Sequence, residues 1–179
     1  SATTASVSQI NLAWTASTDN IVVTGYLLER CQGAGCTTFG QIATPASTNF
    51  SDTGLTASTS YSYRVRATDA AGNLSAYSNI VSATTPAPDT AAPTVSIFSP
   101  LAGSTVSSTT TITASANDNI GVVGVQFLLD GASLGAEQTA PFSLAWNTTS
   151  VSNGIHTLSA RARDAAGNTA TATNVTVTV

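Results

Sequence analysis

The stretch Tyr61-Ser-Tyr-Arg-Val-Arg-Ala-Thr-Asp69 decides the fold, and the turn sequence Ala70-Ala-Gly-Asn73 closes it. A second stretch of the same design, His156-Thr-Leu-Ser-Ala-Arg-Ala-Arg-Asp164, is closed by Ala165-Ala-Gly-Asn168. Residues in both stretches alternate between two faces, which predicts β-strands with one face in a core. The inward positions are Tyr61, Tyr63, Val65 and Ala67 in the first copy, and His156, Leu158, Ala160 and Ala162 in the second. Each stretch therefore marks a central strand around which other strands pack.

The composition is poor in charge and rich in strand-forming residues. Only 8% of the 179 residues are charged and the net charge is −4, whereas charged residues usually make up about a quarter of a globular domain. Ser and Thr must therefore carry much of the polar surface. All five basic residues are arginines, too few to neutralise the phosphates of a nucleic acid. No apolar run approaches the roughly 20 residues of a membrane helix, so we expect no membrane insertion.

Short alternating segments separated by turn signals fill both halves of the chain and predict an all-β protein. The predicted strands of the first half are 9–15, 22–31, 39–43, 47–52, 61–69 and 79–85, and Trp14 is placed in the core. Those of the second half are 94–98, 109–116, 122–129, 156–164 and 175–179, with a further strand in which Phe142, Leu144 and Trp146 alternate. Regular short strands in this number are typical of β-sandwiches.

A proline-rich break, Thr85-Pro-Ala-Pro-Asp-Thr-Ala-Ala-Pro93, divides the chain. We predict sandwiches at 1–85 and 94–179, joined by a semi-extended linker at 86–93. The pattern Asp19-Asn-Ile-x-Val-x-Gly25 returns as Asp118-Asn-Ile-x-Val-x-Gly124, which indicates a domain-sized repeat.

The first half resembles a bacterial fibronectin type III domain. The likeness lies in Ile10-Asn-Leu-Ala-Trp14, Val23-Thr-Gly-Tyr26, Asp52-Thr-Gly-Leu55 and the segment from Thr59 to Ala67. The second half resembles bacterial Ig-like modules, through Gly103-Ser-Thr-Val106, Asp118-Asn-Ile-Gly-Val122, Leu129-Asp-Gly131, Pro141-Phe142, Trp146-Asn-Thr148 and Asn153-Gly154. The resemblance implies that Trp14 and Tyr61 belong to the core, Tyr61 as a tyrosine corner.

Two departures from the family pattern stand out. The chain starts inside the expected first strand, so that edge would be either cut or completed by a neighbouring chain. His156 occupies the register of Tyr61, and a histidine can copy the corner by donating a ring N–H to a backbone carbonyl.

Cys31 and Cys36 lie at a predicted hairpin tip, where four intervening residues allow the Cα separation that a disulfide needs. A zinc half-site is the alternative, but no second pair of ligands exists, and a redox motif has a tighter spacing. A structural disulfide implies export to an oxidising compartment.

Metal binding and catalysis both find little support in the sequence. Asp19, Asp69, Asp118 and Asp164 each lie beside Asn and Gly, as calcium ligands do, but one Asp per loop leaves too few oxygens. Asx turns explain them more simply, so we predict no metal and no cofactor. His156 is the only histidine and is read as a core or corner residue, and nothing resembles a nucleophile elbow, so we predict that the chain is not an enzyme.

Outward-facing arginines and two aromatic rings are the candidates for glycan contact. Arg64, Arg66, Arg161 and Arg163 suggest a strip for acidic glycans or, more simply, cross-strand pairing with residues such as Glu29. Both tryptophans are predicted in the core, and Tyr77 and Phe39 are the rings whose placement stays open.

The sequence thus favours a non-catalytic extracellular module, secreted or on the cell surface, that serves as a spacer, presentation or adhesion segment. Its partners would be neighbouring domains of a larger bacterial protein. A filament subunit assembled from identical chains through edge strands is the alternative, and a weak carbohydrate-binding module that contacts surface glycans is the second alternative.

Overall fold

Strands form nearly all the regular structure of the computed structural model, which describes every residue from Ser1 to Val179. The chain divides into two units, Ser1–Pro88 and Asp89–Val179. The sole helical element is the 3₁₀ turn Thr148–Ser150. No helix has the length and apolarity needed to cross a membrane.

The first unit consists of two antiparallel sheets. One has the order β1-β2-β5 and the other the order β4-β3-β6-β7. The strands are β1 (Ala2–Ser6), β2 (Gln9–Ala13), β3 (Val23–Gln32), β4 (Gly40–Ala43), β5 (Asn49–Thr53), β6 (Ser60–Asp69) and β7 (Val81–Thr84).

The second unit repeats the plan with additional short strands. Its smaller sheet has the order β12-β9-β8, and its larger sheet runs β11-β10-β13-β14 with β15 also paired to β13. The strands are β8 (Thr94–Ser99), β9 (Thr109–Asn117), β10 (Val122–Leu129), β11 (Ala132–Ser133), β12 (Ser143–Asn147), β13 (Ile155–Asp164), β14 (Thr169–Thr171) and β15 (Val175–Thr178).

The two central strands lie where the alternation predicts. Strand β6 is paired along nearly its whole length with β3, and β13 is paired with β10 from Leu158 to Asp164. The four inward positions of each central strand are buried, including Tyr61 and Leu158. Together with residues such as Ile10 and Leu28 in the first unit, and Phe127 and Ile112 in the second, they form one apolar core in each unit. Both units are therefore β-sandwiches.

The two tryptophans differ in depth. Trp146 lies in β12 and is 2% exposed. Trp14 is partly buried and packs at the margin of the first core, so its placement inside that core is corrected. The reason is that β2 ends at Ala13, one residue earlier, and the indole of Trp14 rests edge-on against Tyr26, with 5.4 Å between ring centroids.

Tyr61 and His156 form equivalent corners at the starts of the central strands. The backbone N–H of Thr56 donates to the Tyr61 hydroxyl at 2.9 Å. His156 Nε2 lies 2.8 Å from the Ser152 carbonyl oxygen, and Nδ1 lies 2.7 Å from Asp130 Oδ2. Because both partners are acceptors without protons, both ring nitrogens donate and the imidazolium form is favoured. These bonds raise the pKa of His156 above its usual 6.5, and the bond from His156 lowers the pKa of Asp130.

The hairpin tips distinguish the two copies. Cys31, near the end of the β3–β6 ladder, forms a disulfide with Cys36, with 6.0 Å between their Cα atoms. The second unit instead joins β10 to β11 through a two-residue turn, in which Asp130 and Gly131 both have positive φ (50° and 82°). Such a turn needs left-handed backbone at both positions, which explains the Asp-Gly pair.

The strand ends and the joint are where the structure departs from the sequence prediction. The pattern gives no indication of β11 and β14, which are two and three residues long. Asp89, predicted to lie in the linker, belongs to the second unit, because its side chain and carbonyl accept bonds from Asn119 and Asn168.

Replacing Tyr61 by Phe is expected to destabilise the first domain by about 1–3 kcal/mol. The Thr56 N–H would lose its acceptor beside a side chain that is 2% exposed. Urea unfolding followed by near-ultraviolet circular dichroism measures the change. Tyr26→Phe is the comparison, because the Tyr26 hydroxyl accepts from the backbone N–H of Ser17, an exposed residue whose N–H water can reach. An equal loss in both variants would contradict the corner's role.

The His156 corner is expected to make the second domain less stable at alkaline pH. Its contribution is fully present below about pH 6.5, where both states are protonated, and is lost as pH rises through the raised pKa. The Asp130 contribution is present above about pH 3.8 and is lost as pH falls through the lowered pKa. The melting temperature of the second domain, measured between pH 5 and 9 at about one point per pH unit, should fall with rising pH in the wild type. A plot of melting temperature against pH should therefore slope downward. The slope should be absent in His156→Gln, and a persisting slope would refute the assignment.

Reducing the disulfide, or replacing both cysteines by Ser, is expected to destabilise the first domain by about 2 kcal/mol. The magnitude is small because the cysteines are separated by only five positions. Calorimetric scans with and without reductant measure the change. The double Ser variant should not respond to the reductant, and the second domain's transition should not move.

Candidate functional site

The outward face of the first central strand carries a closed cluster of charge and aromatic rings. Arg64 contacts Glu29 through Nε (2.7 Å) and Nη2 (2.6 Å), and the Tyr77 hydroxyl donates to Glu29 Oε1 at 2.7 Å. Burial would raise the pKa of Glu29, but the hydrogen bonds from Tyr77 and Arg64 outweigh burial and lower it. The cluster is therefore an internally neutralised ion pair, the simpler of the two explanations considered for these arginines.

The two rings whose placement the sequence left open are covered by guanidinium groups. Arg64 lies 3.9 Å from the centre of the Tyr77 ring and 4.4 Å from that of Phe39, and Arg66 lies 4.7 Å from the Tyr77 ring. A sugar ring stacks on an aromatic face that is free. These contacts leave Tyr77 and Phe39 poorly suited to that task.

The arginines of the second central strand behave differently from one another. Arg163 donates through Nε to both Glu137 oxygens, at 2.9 and 3.1 Å. The Glu137 side chain crosses β10 over Gly124, where a Cβ would collide with its carboxylate. Arg161 takes part in no salt bridge. The four arginines therefore do not form one continuous basic strip.

A surface cleft of about 540 Å³ lies beside Trp14 in the first unit. Tyr26, Arg66, Tyr77 and Asn79 are among its lining residues, and no carboxylate, histidine or cysteine is. Serine and tyrosine hydroxyls line the cleft, but a hydroxyl nucleophile needs an adjacent base such as histidine or a carboxylate. The residues that line the cleft include no such base.

The second unit brings three carboxylates together. One oxygen each of Asp89, Asp118 and Asp164 lies within 4.8 Å of the others. The sequence-based premise that such acids stand singly is therefore incorrect here. Two unit charges about 5 Å apart repel by roughly 3 kcal/mol at an effective dielectric constant of about 20. The arrangement is therefore costly unless a cation offsets it.

Strand register explains why two of these acids meet. In the β10–β13 ladder Val122 pairs with Asp164. The turn that contains Asp118 immediately precedes Val122, so it lies beside the end of β13. Asp118 Oδ2 accepts the backbone N–H groups of Ile120 and Gly121, both at 3.0 Å, in an Asx turn.

Asn168 connects the other two acids. Its backbone N–H donates to Asp164 Oδ1 at 2.8 Å, and its side-chain amide donates to Asp164 Oδ2 at 2.7 Å. The same amide reaches the carbonyl oxygen of Asp89 at 3.2 Å. Asp164 is 1% exposed. Burial would raise its pKa, but the hydrogen bonds from Asn168 outweigh burial and lower it, so the carboxylate stays charged.

The charge of the cluster has no counterion among the side chains. The salt bridges are Arg30–Asp52, Arg64–Glu29, His156–Asp130 and Arg163–Glu137, none of which includes the three acids. Asp118 Oδ1 is shielded from solvent and accepts no hydrogen bond; of the five buried side-chain nitrogen and oxygen atoms without a partner, it is the only carboxylate oxygen. A buried polar atom without a partner is rare in folded proteins.

The first unit has the same turns without the cluster. Asp19 Oδ2 accepts from Ile21 and Val22 at 3.1 and 3.2 Å, and Asp69 is held by Asn73. No third carboxylate joins them. The signal for the cluster in the sequence was that Asp118 and Asp164 stand at the same repeat positions as Asp19 and Asp69. Asp89 was overlooked because it lies among prolines.

Comparison with protein families supports the resemblance stated from the sequence. Residues 1–84 match the family model of the fibronectin type III domain, and residues 93–160 match that of a bacterial Ig domain.

Relatives align with almost the whole chain. Chitinase A1 of Niallia circulans is 38% identical over 92% of this chain, and the match covers 23% of that protein. Exoglucanase B of Cellulomonas fimi is 41% identical over 95% of this chain, and the match covers 15% of that protein. The chain thus spans less than a quarter of either relative.

Among solved structures, the fibronectin(III)-like modules of Clostridium thermocellum CbhA are 23% identical, cover 97% of this chain and 85% of their own, and have a TM-score of 0.43. The sheet order, the buried central strands and the family matches agree, and the chain consists of a fibronectin type III domain followed by a bacterial Ig-like domain.

Proposed function

We propose that this chain is a non-catalytic accessory module of a secreted polysaccharide-degrading enzyme and holds neighbouring domains of that enzyme apart. The observation that carries the proposal is the pattern of coverage among relatives. Chitinase A1 and exoglucanase B match 92% and 95% of this chain, yet the match is 23% and 15% of those proteins. The pair of domains is therefore a minor part of enzymes that extend far beyond it.

The histidine and most arginines are already bonded to other groups of the protein, which supports a non-catalytic role. The single histidine is bound to Asp130 and to a backbone carbonyl, and three of the five arginines form salt bridges with carboxylates. A side chain that acts in catalysis must be able to exchange a proton with the substrate, so it cannot be fully engaged with other protein groups. The cleft beside Trp14 is lined by serines and tyrosines, but by no histidine, cysteine or carboxylate that could act as a base toward them.

The path of the chain through the second domain suits a spacer. Asp89, where this domain begins, is bonded to Asn168 just beyond the end of β13. The last residue, Val179, exchanges backbone hydrogen bonds with Gly154 just before β13 begins. Because β13 has ten residues, its ends are roughly 30 Å apart. The chain therefore enters and leaves this domain at opposite ends.

The disulfide supports an extracellular setting. Cys31 and Cys36 are paired, and structural disulfides persist in oxidising compartments. Only 8% of the residues are charged, and Ser and Thr supply most of the polar surface. This composition agrees with a secreted module.

The two alternatives have weaker structural support. The filament hypothesis was motivated by a clipped first strand, but β1 is formed, pairs with β2 from Ala2 to Ser6 and itself provides the edge strand of that sheet. The carbohydrate-binding hypothesis needs free aromatic faces, and guanidinium groups lie over Tyr77 and Phe39.

Deleting this chain from its parent enzyme is expected to leave turnover of soluble oligosaccharides unchanged and to slow hydrolysis of the insoluble polymer. The spacer would then no longer give the catalytic domain its reach. Initial rates on both substrates measure the effect. An unrelated pair of β-sandwiches inserted in its place should restore activity on the polymer, whereas failure to restore it would contradict a spacer role.

The isolated chain distinguishes the alternatives. It should remain in the supernatant when mixed with insoluble chitin, cellulose or starch, release no sugar and stay monomeric at every concentration. Sedimentation with a polymer that is lost in Tyr77→Ala would favour carbohydrate binding. Concentration-dependent growth in size would favour the filament.

A further inference from the structure

We propose that Asp89, Asp118 and Asp164 of the Ig-like domain form a calcium-binding site. The three residues come from separate parts of the chain: the start of the domain, the β9–β10 turn, and the end of β13. Their carboxylate oxygens lie within 4.8 Å of one another, a spacing that one cation can bridge.

The buried oxygen of Asp118 is the observation that points to a ligand independently of the acidic cluster. Asp118 Oδ2 has its two backbone donors, whereas Oδ1 has none and is closed off from solvent. Oδ1 therefore has neither a protein donor nor contact with bulk water. A bound cation would supply the missing partner.

The surrounding bonds hold the carboxylates in place for an ion. Asp164 is 1% exposed and receives one hydrogen bond on each oxygen from Asn168, which leaves further lone pairs on both oxygens. Asn119 and the Ala91 N–H donate to Asp89 Oδ1, at 3.3 and 3.1 Å. Three negative charges are thus fixed close together without a basic side chain in contact.

The ligand types select the ion. All three are carboxylates, and the cluster contains no cysteine or histidine, which zinc prefers. Calcium accepts oxygen ligands in flexible geometry and completes its shell with carbonyls and water. Magnesium needs a stricter octahedron, to which ligands from three separate segments are less easily matched.

Such an ion would connect the first residues of the domain to the β9–β10 turn and to the end of β13. Asp89 directly follows Pro88, and Asp118 and Asp164 lie at the same end of the β10–β13 ladder. Calcium would therefore stabilise this end of the second sandwich against unfolding.

Titration of calcium chloride into the metal-free full chain, followed by calorimetry, tests the proposal. We expect one binding event per chain, with a dissociation constant of about 10⁻⁴–10⁻³ M, as in other extracellular modules. About 10 mM calcium should raise the melting temperature of the second domain by at least about 4 °C relative to chelator. The absence of both heat and shift would overturn the proposal, as would an equal response to magnesium.

Asp118→Asn provides the decisive variant, because its amide oxygen can still accept the bonds of the Asx turn. It should raise the calcium dissociation constant at least about tenfold. In chelator it should melt no lower than the wild type, because a repulsive charge has been removed. If Asp118 only held the turn, the variant would lower the melting temperature equally in chelator and in calcium.

Asp19→Asn is the matched control. Asp19 makes the same Asx turn in the first domain but belongs to no three-carboxylate cluster. It should leave calcium affinity and the calcium-dependent shift unchanged. An equal loss of affinity in Asp19→Asn and Asp118→Asn would refute the site, and Asp89→Asn should reproduce the effect of Asp118→Asn.

Discussion

The antiparallel ladder between the central strand of each domain and its partner strand is the interaction on which the rest of the structure depends. The β6–β3 ladder runs from Asp69 to the corner residue Tyr61, and the β13–β10 ladder runs from Asp164 to Leu158, two residues from the corner at His156. Because side chains alternate across a strand, this register decides at once which residues enter the core and which remain outside. A slip by one residue would bring Arg64 into the core and move Tyr63 out of it. The corner bonds of Tyr61 and His156 oppose such a slip at the start of each central strand.

The scarcity of charge makes the position of each charged group informative. Glu29, Asp52 and Glu137 each face an arginine, and Asp130 faces the histidine. Burial of a carboxylate is tolerated when a cation or several hydrogen bonds compensate it. The cluster of Asp89, Asp118 and Asp164 is the exception, because it concentrates negative charge and leaves one buried oxygen without a partner. That contrast, more than the number of acids, sets the cluster apart from the other polar groups of the surface.

The central strands, the two sandwiches and the disulfide could be predicted from the sequence, since each depends on local alternation or spacing. Trp14 could not be placed as well, because its depth depends on where β2 ends and on the position of the Tyr26 ring. The short strands β11 and β14 form because neighbouring strands offer hydrogen-bond partners, and their own sequences contain too few residues to show a pattern. The acidic cluster depends on the pairing of Val122 with Asp164 and on the folding of Asp89 onto the domain. Both are tertiary facts that a reading of single loops misses.

The two copies show how one framework permits different chemistry at equivalent positions. In both domains an Asp-Asn-Ile turn precedes the partner strand, and an Asp-Ala-Ala-Gly-Asn turn follows the central strand. The register is also the same, because Val23 pairs with Asp69 as Val122 pairs with Asp164. What differs is the third carboxylate, which only the second domain adds, through Asp89. The turns therefore form for reasons of backbone geometry in both domains. The segment that packs against them, which carries Asp89 in the second domain, decides whether their carboxylates only stabilise the turns or can also bind a cation.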